Sequence, residues 1–333
     1  MRFRLERSPR AGYAGGLILD DNGRAGLRPV AATDPNAGSS VEAVETRGEF
    51  HLRAFHPIIL AGIFAATPAL AQQAAGPSDE DLARDSVTVG IAASYMTDYE
   101  GADHYSFFPL PGAIGSVGGH NFTVIGNRAS VDLIRNQPGP RWDVQLGPIA
   151  VVNFNRNSRG AINDPQVRAL PKRGLAVELG GYVGIGKTGV VTSPYDKLSI
   201  SVSYRHDVTG VHDSAIVAPT VNYMTPLSRK TAVALFVSAE HVGRRYMQTY
   251  FDVTPADSLA SGLPVFSGRG GWKSWTAGAI GTVSISGDLL RGWKLVGGVT
   301  YRRMLGDAAQ SPLVSDVGSP NQWLGALGVA YTF

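Results

Sequence analysis

Strict two-residue alternation, sustained over unusually long segments, restricts the fold of this chain more than any other feature. In the last segment Trp323, Gly325, Leu327, Val329, Tyr331 and Phe333 form one face, while Leu324, Ala326, Gly328, Ala330 and Thr332 form the other. Successive side chains of a β-strand point to opposite sides. One face is therefore apolar and aromatic, the other small or weakly polar. The same period recurs upstream. Leu198, Ile200, Val202 and Tyr204 alternate with Ser199, Ser201, Ser203 and Arg205. Further examples start at Trp142, Leu175, Trp275 and Trp293, with Ile280 and Val296 as exceptions on otherwise polar or small faces.

Length separates two readings of this pattern. Strands of soluble proteins cluster near ~5–6 residues, whereas a strand crossing a bilayer needs ~9–11. Lipid asks for an apolar outer face, and a filled lumen favours small inner side chains. The reading is an all-β fold: an antiparallel transmembrane β-barrel of about twelve strands over residues 86–333, with ten or fourteen as the alternatives. The expected strands are 87–95, 112–118, 120–126, 129–134, 142–154, 175–187, 197–207, 215–225, 231–241, 273–286, 292–304 and 322–333. The four between 112 and 134, and 215–225 with its Pro219, rest on the weakest alternation. Bacterial barrels have even strand numbers, short periplasmic turns and longer outer loops. Twelve strands put the long connections 96–111, 155–173, 242–272 and 305–321 on the outer side. Trp142, Trp272, Trp275, Trp293, Trp323 and Phe333 fall at or near strand ends, where barrels place interfacial aromatic girdles. The terminal Tyr331 and Phe333 resemble the signal read by barrel-assembly machinery. Partners implied so far are that machinery and outer-membrane lipid.

The apolar run Pro57 to Ala71 is too short for a membrane helix of ~20 residues. Arg47 and Arg53 precede it, and Ala69-Leu70-Ala71 closes it. This is the layout of a secretory signal peptide, residues 50–71, cleaved between Ala71 and Gln72. Residues 1–49 are polar and lack apolar periodicity, and are read as a disordered gene-model extension. Residues 72–85 are expected to form a flexible lead-in.

Composition agrees. The 41 Gly suit many strands and tight turns, and the absence of Cys excludes disulfides and thiolate metal sites. A net charge of +3 without a basic block gives nucleic-acid binding no support. Gly181-Tyr-Val-Gly-Ile-Gly186-Lys187-Thr188 matches a phosphate-binding loop in letters only. The alternation runs through it to Ile185, where that loop would need to leave the strand and enter a helix. No H-E-x-x-H or G-x-S-x-G motif is present downstream of the signal. His206 and His241 are the candidates for a rim site, each more simply read as a lumen or interface histidine. No cofactor is expected.

Three stretches carry a resemblance. The first is Tyr99-Glu-Gly101-Ala-Asp-His-Tyr105, leading to Pro109-Leu-Pro111. The second runs from Tyr250-Phe-Asp-Val-Thr254 through Ser261-Gly262-Leu-Pro264 to Gly270. The third is Tyr301 to Pro312, including Asp307 and Ser311-Pro312, then Gly318-Ser-Pro-Asn-Gln322. Together they resemble the MltA-interacting protein (MipA)/OmpV family, across roughly residues 86–333. Asp252 stands where Gly is expected, and Met96-Thr97 where Pro is usual. The resemblance implies an outer-membrane barrel, some members of the family being non-enzymatic scaffolds that join a periplasmic lytic transglycosylase to a penicillin-binding protein. Other members are linked to adhesion or antibiotic response. A small passive channel lined by Glu178, Arg205, Asp207, Lys294 and Arg302, or an adhesion protein, are the competing expectations; those five residues could instead pair across a closed interior.

Overall fold

The computed structural model describes residues 84–135, 139 and 141–333. The extension, the signal segment with Ala71 and Gln72, and most of the lead-in lie outside the described residues. Twelve antiparallel strands close into an up-and-down barrel: β1 (Ser86–Thr97), β2 (Tyr105–Val117), β3 (His120–Ile125), β4 (Arg128–Val131), β5 (Trp142–Asn153), β6 (Ala176–Thr188), β7 (Lys197–Asp207), β8 (Ala215–Pro226), β9 (Thr231–Val242), β10 (Gly271–Ser284), β11 (Gly292–Met304) and β12 (Asn321–Thr332). Each pairs with its sequence neighbour, and β1 closes on β12 from Thr88↔Thr332 to Tyr95↔Gly325. Closure joins every strand to both of its neighbours, the condition for placing a sheet in hydrocarbon, and leaves the upper part of β2, above the short β3 and β4, unpaired on one edge.

The alternation predicts which face meets lipid. Val89, Ile91, Val144, Leu146, Val183, Ile200, Val237, Leu327 and Val329 are all exposed on the outside. Opposite them, Gly90, Ala92, Gly328 and Ala330 meet across the β1–β12 seam. At Gly180 an added Cβ would sit 1.9 Å from the Tyr204 carbonyl oxygen, and at Gly328 it would sit 2.3 Å from that of Ile91. These inner glycines let neighbouring strands approach more closely than any side chain allows. The two exceptions in the pattern, Ile280 and Val296, also face inward, beside Gly298 and Thr282 of the paired strands. They make part of the inner wall apolar.

Aromatic rings mark two levels. At the outer level Trp275, Tyr301 and Trp323 run ring to ring, and Tyr95 packs on Tyr105 and Phe107. At the level of the chain terminus, Tyr331 lies between Trp293 and Phe333. Trp293 and Tyr301 are eight residues apart on one strand, ~27 Å of chain. With the usual tilt this is ~20 Å along the barrel axis, close to the apolar band of outer-membrane barrels.

Most strand ends fall within two residues of expectation, and the large departures are at β2 and β4. β2 begins at Tyr105, so Pro109-Leu-Pro111 is strand rather than outer loop. Prolines hid it, because Pro is admitted to sheets only where its missing N–H is not required. β3 and β4 form, but with six and four residues. Pro219 sits inside β8, where the ladder to β9 skips Ala218 and Pro219. The phosphate-loop lookalike is strand, within β6.

Most turns at the end of the barrel opposite the long connections are short. In the 188–196 turn, Asp196 accepts from the amides of Val190 (2.7 Å), Val191 (2.8 Å) and Thr192 (2.7 Å) and from the Tyr223 hydroxyl (2.8 Å). Burial would raise this carboxyl, but the Thr192 and Val190 amides, the Tyr223 hydroxyl and the Val191 amide outweigh it and hold it well below the ordinary carboxylate range. A depressed folded value gives stabilisation that is complete above the unfolded aspartate value of ~3.9 and is lost as pH falls through the folded one. Asp196→Asn, which turns an NH2 group toward these donors, is expected to lower the urea midpoint at pH 7, with the deficit shrinking below about pH 4. Equal midpoints at pH 7 would refute this account of the turn.

Candidate functional site

The apolar core of the protein lies at the outer mouth, not inside the barrel. The long connections there carry α1 (Pro165–Ala169), α2 (Arg244–Tyr250), α3 (Pro255–Ser261), α4 (Gly306–Gln310) and α5 (Pro312–Ser315). α3 starts with a capping box between Thr254 and Asp257, with Pro255 in its first turn, and ends at Gly262 in the left-handed conformation. Two buried clusters hold the cap together. One joins Tyr246, Met247, Tyr250 and Phe251 to Met304, Ala308 and Val314. The other joins Tyr99, Ile162, Val167 and Leu170 to Val253, Leu263 and Leu313.

The three motif stretches meet in this cap. The Tyr99 hydroxyl donates to the Leu313 (3.1 Å) and Val317 (3.2 Å) carbonyls. Gly101, at φ 102°, packs under Val314, and its carbonyl accepts from the Ser319 amide. The Tyr105 hydroxyl accepts from the Trp323 amide at 3.1 Å. The Tyr250 carbonyl accepts from buried Arg156 (3.0 Å), whose guanidinium is brought down to about 10 by burial and by Arg173. Ser261 donates to the Asp257 carbonyl at 2.7 Å, and Pro264 is exposed just beyond it. Asp307 accepts from the Arg269 amide. Ser311 donates to the Phe251 carbonyl at 2.6 Å and caps α5, whose first residue is Pro312. Gln322 donates to the Ala102 carbonyl. Apart from exposed Pro264 and Ser261, whose bond lies within α3, these residues hold the outer loops to one another.

Beneath the cap, the strand ends contribute a charge network across the barrel interior. Lys273 donates to Glu100 (2.7 Å) and Glu240 (2.9 Å), and to the Tyr246 hydroxyl (3.2 Å). Arg205 bridges Glu178 and Glu240, and Arg302 reaches Glu100 at 3.0 Å. Tyr246 donates to Glu100 at 2.8 Å, Asn153 to Glu178 at 3.0 Å, and His212 lies 3.3 Å from the same carboxylate. Three carboxylates thus face three cations, from β6, β7, β9, β10, β11 and the β1–β2 loop. Burial, then Glu100, Glu240 and Glu178, push the Tyr246 hydroxyl well above its ordinary value. It stays protonated and able to donate.

Of the expected lumen residues, Arg205, Glu178 and Arg302 belong to this network. Asp207 instead accepts from the Thr209, His212 and Asp213 amides, and Lys294 bonds Thr332 near the opposite end. Sequence reading missed Lys273 and Glu100. Lys273 is the inserted residue of a β-bulge: pairing shifts between Trp272 and Ser274. Trp272 and Trp275 both face outward at an odd separation, a signal of that bulge already visible in the sequence. His206 lies 3.8 Å from Asp213, and His241 packs edgewise on Trp272. Neither meets a serine, and no group of three or more metal-ligating side chains occurs among the described residues.

A family model described as MltA-interacting protein MipA matches residues 89–333. No curated protein sequence matches the chain. Among solved structures, the outer-membrane channel DcaP of Acinetobacter baumannii is similar at 10% identity and a TM-score of 0.33, over 75% of this chain and 96% of that one. The CymD monoaromatic hydrocarbon channel aligns at 9% identity and 0.34, over 76% and 90%. OmpT of Vibrio cholerae aligns at 5% identity and 0.32, over 75% and 97%.

Proposed function

Because the chain belongs to the MltA-interacting protein MipA family, we propose that this outer-membrane β-barrel is a non-enzymatic scaffold. Its periplasmic turns dock a lytic transglycosylase and a penicillin-binding protein, joining murein hydrolysis to synthesis. One observation carries the choice of face. Most motif residues on the outer side are spent on internal bonds of the cap, and the short-turn side is the surface that a periplasmic partner can reach. The 188–196 turn is rigid, held by Asp196, and presents Val191 at 72% exposure. The turns after β8 and β10 are joined by the Leu289 amide donating to the Arg229 carbonyl at 2.9 Å, so they form one surface, with Leu227 exposed. Such rigid apolar points favour association because little conformational freedom is lost on docking.

Replacing 190–194 or 287–291 by Gly/Ser of equal length is expected to abolish co-purification of the murein hydrolase from detergent extracts, with heat-modifiable gel mobility retained. A complex that survives both replacements overturns this reading. The network under the cap weighs against a simple pore. Planar-bilayer recordings are expected to show no steady conductance steps.

A further inference from the structure

The barrel wall is incomplete on one side. β3 and β4 have six and four residues, while their neighbours β2 and β5 have thirteen and twelve. The β3–β4 turn at Gly126 and Asn127 therefore ends partway up the wall. Above it, Tyr105 to Leu110 pair only with β1, and no register joins β2 to β5. From Tyr105 to Leu110 the interruption spans roughly 16 Å of strand. Loops close it at the top: Asp98 accepts from the Asn163 amide (3.1 Å) and side chain (2.6 Å), and Asn155 accepts from the Glu100 amide (3.1 Å). The result is a bounded window.

The sill of the window and the proline part of its β2 edge are chemically finished. Pro111 directs its carbonyl to the Gly126 amide at 2.8 Å, so this edge of β2 faces the opening. Residues two apart share an edge, which puts Pro109 there as well. Neither proline has an N–H to leave unsatisfied in lipid. On the β5 side, the Val152 amide donates to the Asn127 carbonyl (2.9 Å), and its carbonyl accepts from the Asn127 side chain (2.8 Å).

A cavity of about 240 Å³ lies at the sill, walled by Val124, Ala129, Ala150, Val152 and Phe154 and reaching Arg128. Ala129 pairs with outward Ala150, while Arg128 pairs with Val151, whose side chain alternates to the interior. The cavity opens on the lipid face beside the hairpin tip and counts Arg128 among its lining residues. The Arg128 guanidinium has no hydrogen-bond or ion-pair partner among the described residues. Other cations on that inner wall, such as Arg205 and Lys273, are paired.

We infer that this window is a lateral binding site for a long-chain carboxylate, its tail in the Val152–Phe154 groove and its head group on Arg128. A guanidinium pairs bidentately with a carboxylate, and an apolar groove open to the bilayer admits a single chain without crossing water. This goes beyond the scaffold reading and uses the other end of the wall, so failure here leaves the docking result untouched.

The test uses the full barrel in nanodiscs, with the five native tryptophans replaced by phenylalanine, Phe154→Trp as the single reporter and a brominated C18 carboxylate as quencher. Saturable quenching is expected. Arg128→Ala should weaken it at least tenfold and Arg128→Lys by less, while Val152→Trp, which fills the groove, should abolish carboxylate binding measured by radiolabel. Heat-modifiable mobility confirms folding of each variant. Wild-type affinity in Arg128→Ala or in Val152→Trp overturns the proposal. So does equal quenching by brominated phosphatidylcholine with no further effect of the carboxylate, which would make the groove a seat for bulk lipid tails only.

Discussion

Lys273→Ala is expected to be the most destabilising change of a single charged residue in this barrel. Lys273 is 2% exposed and stands between Glu100 and Glu240. Removing it leaves three carboxylates facing two arginines in a space closed above by the cap. Removing one partner of a buried pair costs ~3–5 kcal/mol; here Glu100 keeps Arg302 and Glu240 keeps Arg205, so the cost belongs toward the lower end and comes from three carboxylates sharing two cations. The loss should fall on the cap first, since Glu100 and Tyr246 connect the β1–β2 loop and α2 to the wall. Limited proteolysis of detergent-solubilised protein should then cut within 244–270 in the variant and not in the parent, and the urea midpoint should drop. The double change Lys273→Met and Glu240→Gln should recover part of the loss, as Glu100 then keeps Arg302 and Glu178 keeps Arg205, two anions with two cations. Unchanged proteolysis in Lys273→Ala would show that the network does not hold the cap.

The second large effect is steric. Gly180→Ala places a methyl group 1.9 Å from the Tyr204 carbonyl oxygen and 2.7 Å from the Arg205 Cα. Both atoms are backbone of the paired strand and cannot swing aside. Overpacking ordinarily costs ~1–3 kcal/mol, and a clash between two strands of a closed ring belongs at or above the upper end. Little folded, heat-modifiable barrel is expected. Gly281→Ala is the matched control: it faces lipid with nothing within 4 Å, and should fold as the parent does. Equal folding of the two variants would contradict the inner-face packing.

The difference between these two glycines also shows what the sequence could and could not reveal. Face assignment was legible, because the bilayer imposes one rule on every strand and Val, Leu and Trp obey it. The strand count was legible for the same reason. β2 was obscured by Pro109 and Pro111, whose meaning depends on an edge that exists only because β3 and β4 stop short. The helices of the cap are four to seven residues long, too short for a helical period to emerge. Even so, Thr254-Pro255 with Asp257 and a following Gly262 spells out the limits of α3. The bulge at Lys273 could have been read from the spacing of Trp272 and Trp275. Its partner Glu100 could not: the two are 173 positions apart, and only barrel closure brings them together. The motif stretches could be recognised, but not their employment. Nothing local distinguishes a tyrosine that binds a partner from Tyr99, which donates to carbonyls of a loop more than 200 residues downstream.

The central claim is that a closed sheet separates lipid from an interior, strand by strand. The chain contains no cysteine, so single cysteines can be placed at each position from 322 to 332, spin-labelled, and measured in vesicles for collision with oxygen, which concentrates in hydrocarbon. The account predicts maxima at 323, 325, 327, 329 and 331 with minima between them. A flat profile, or one with a period near 3.6 residues, would contradict it.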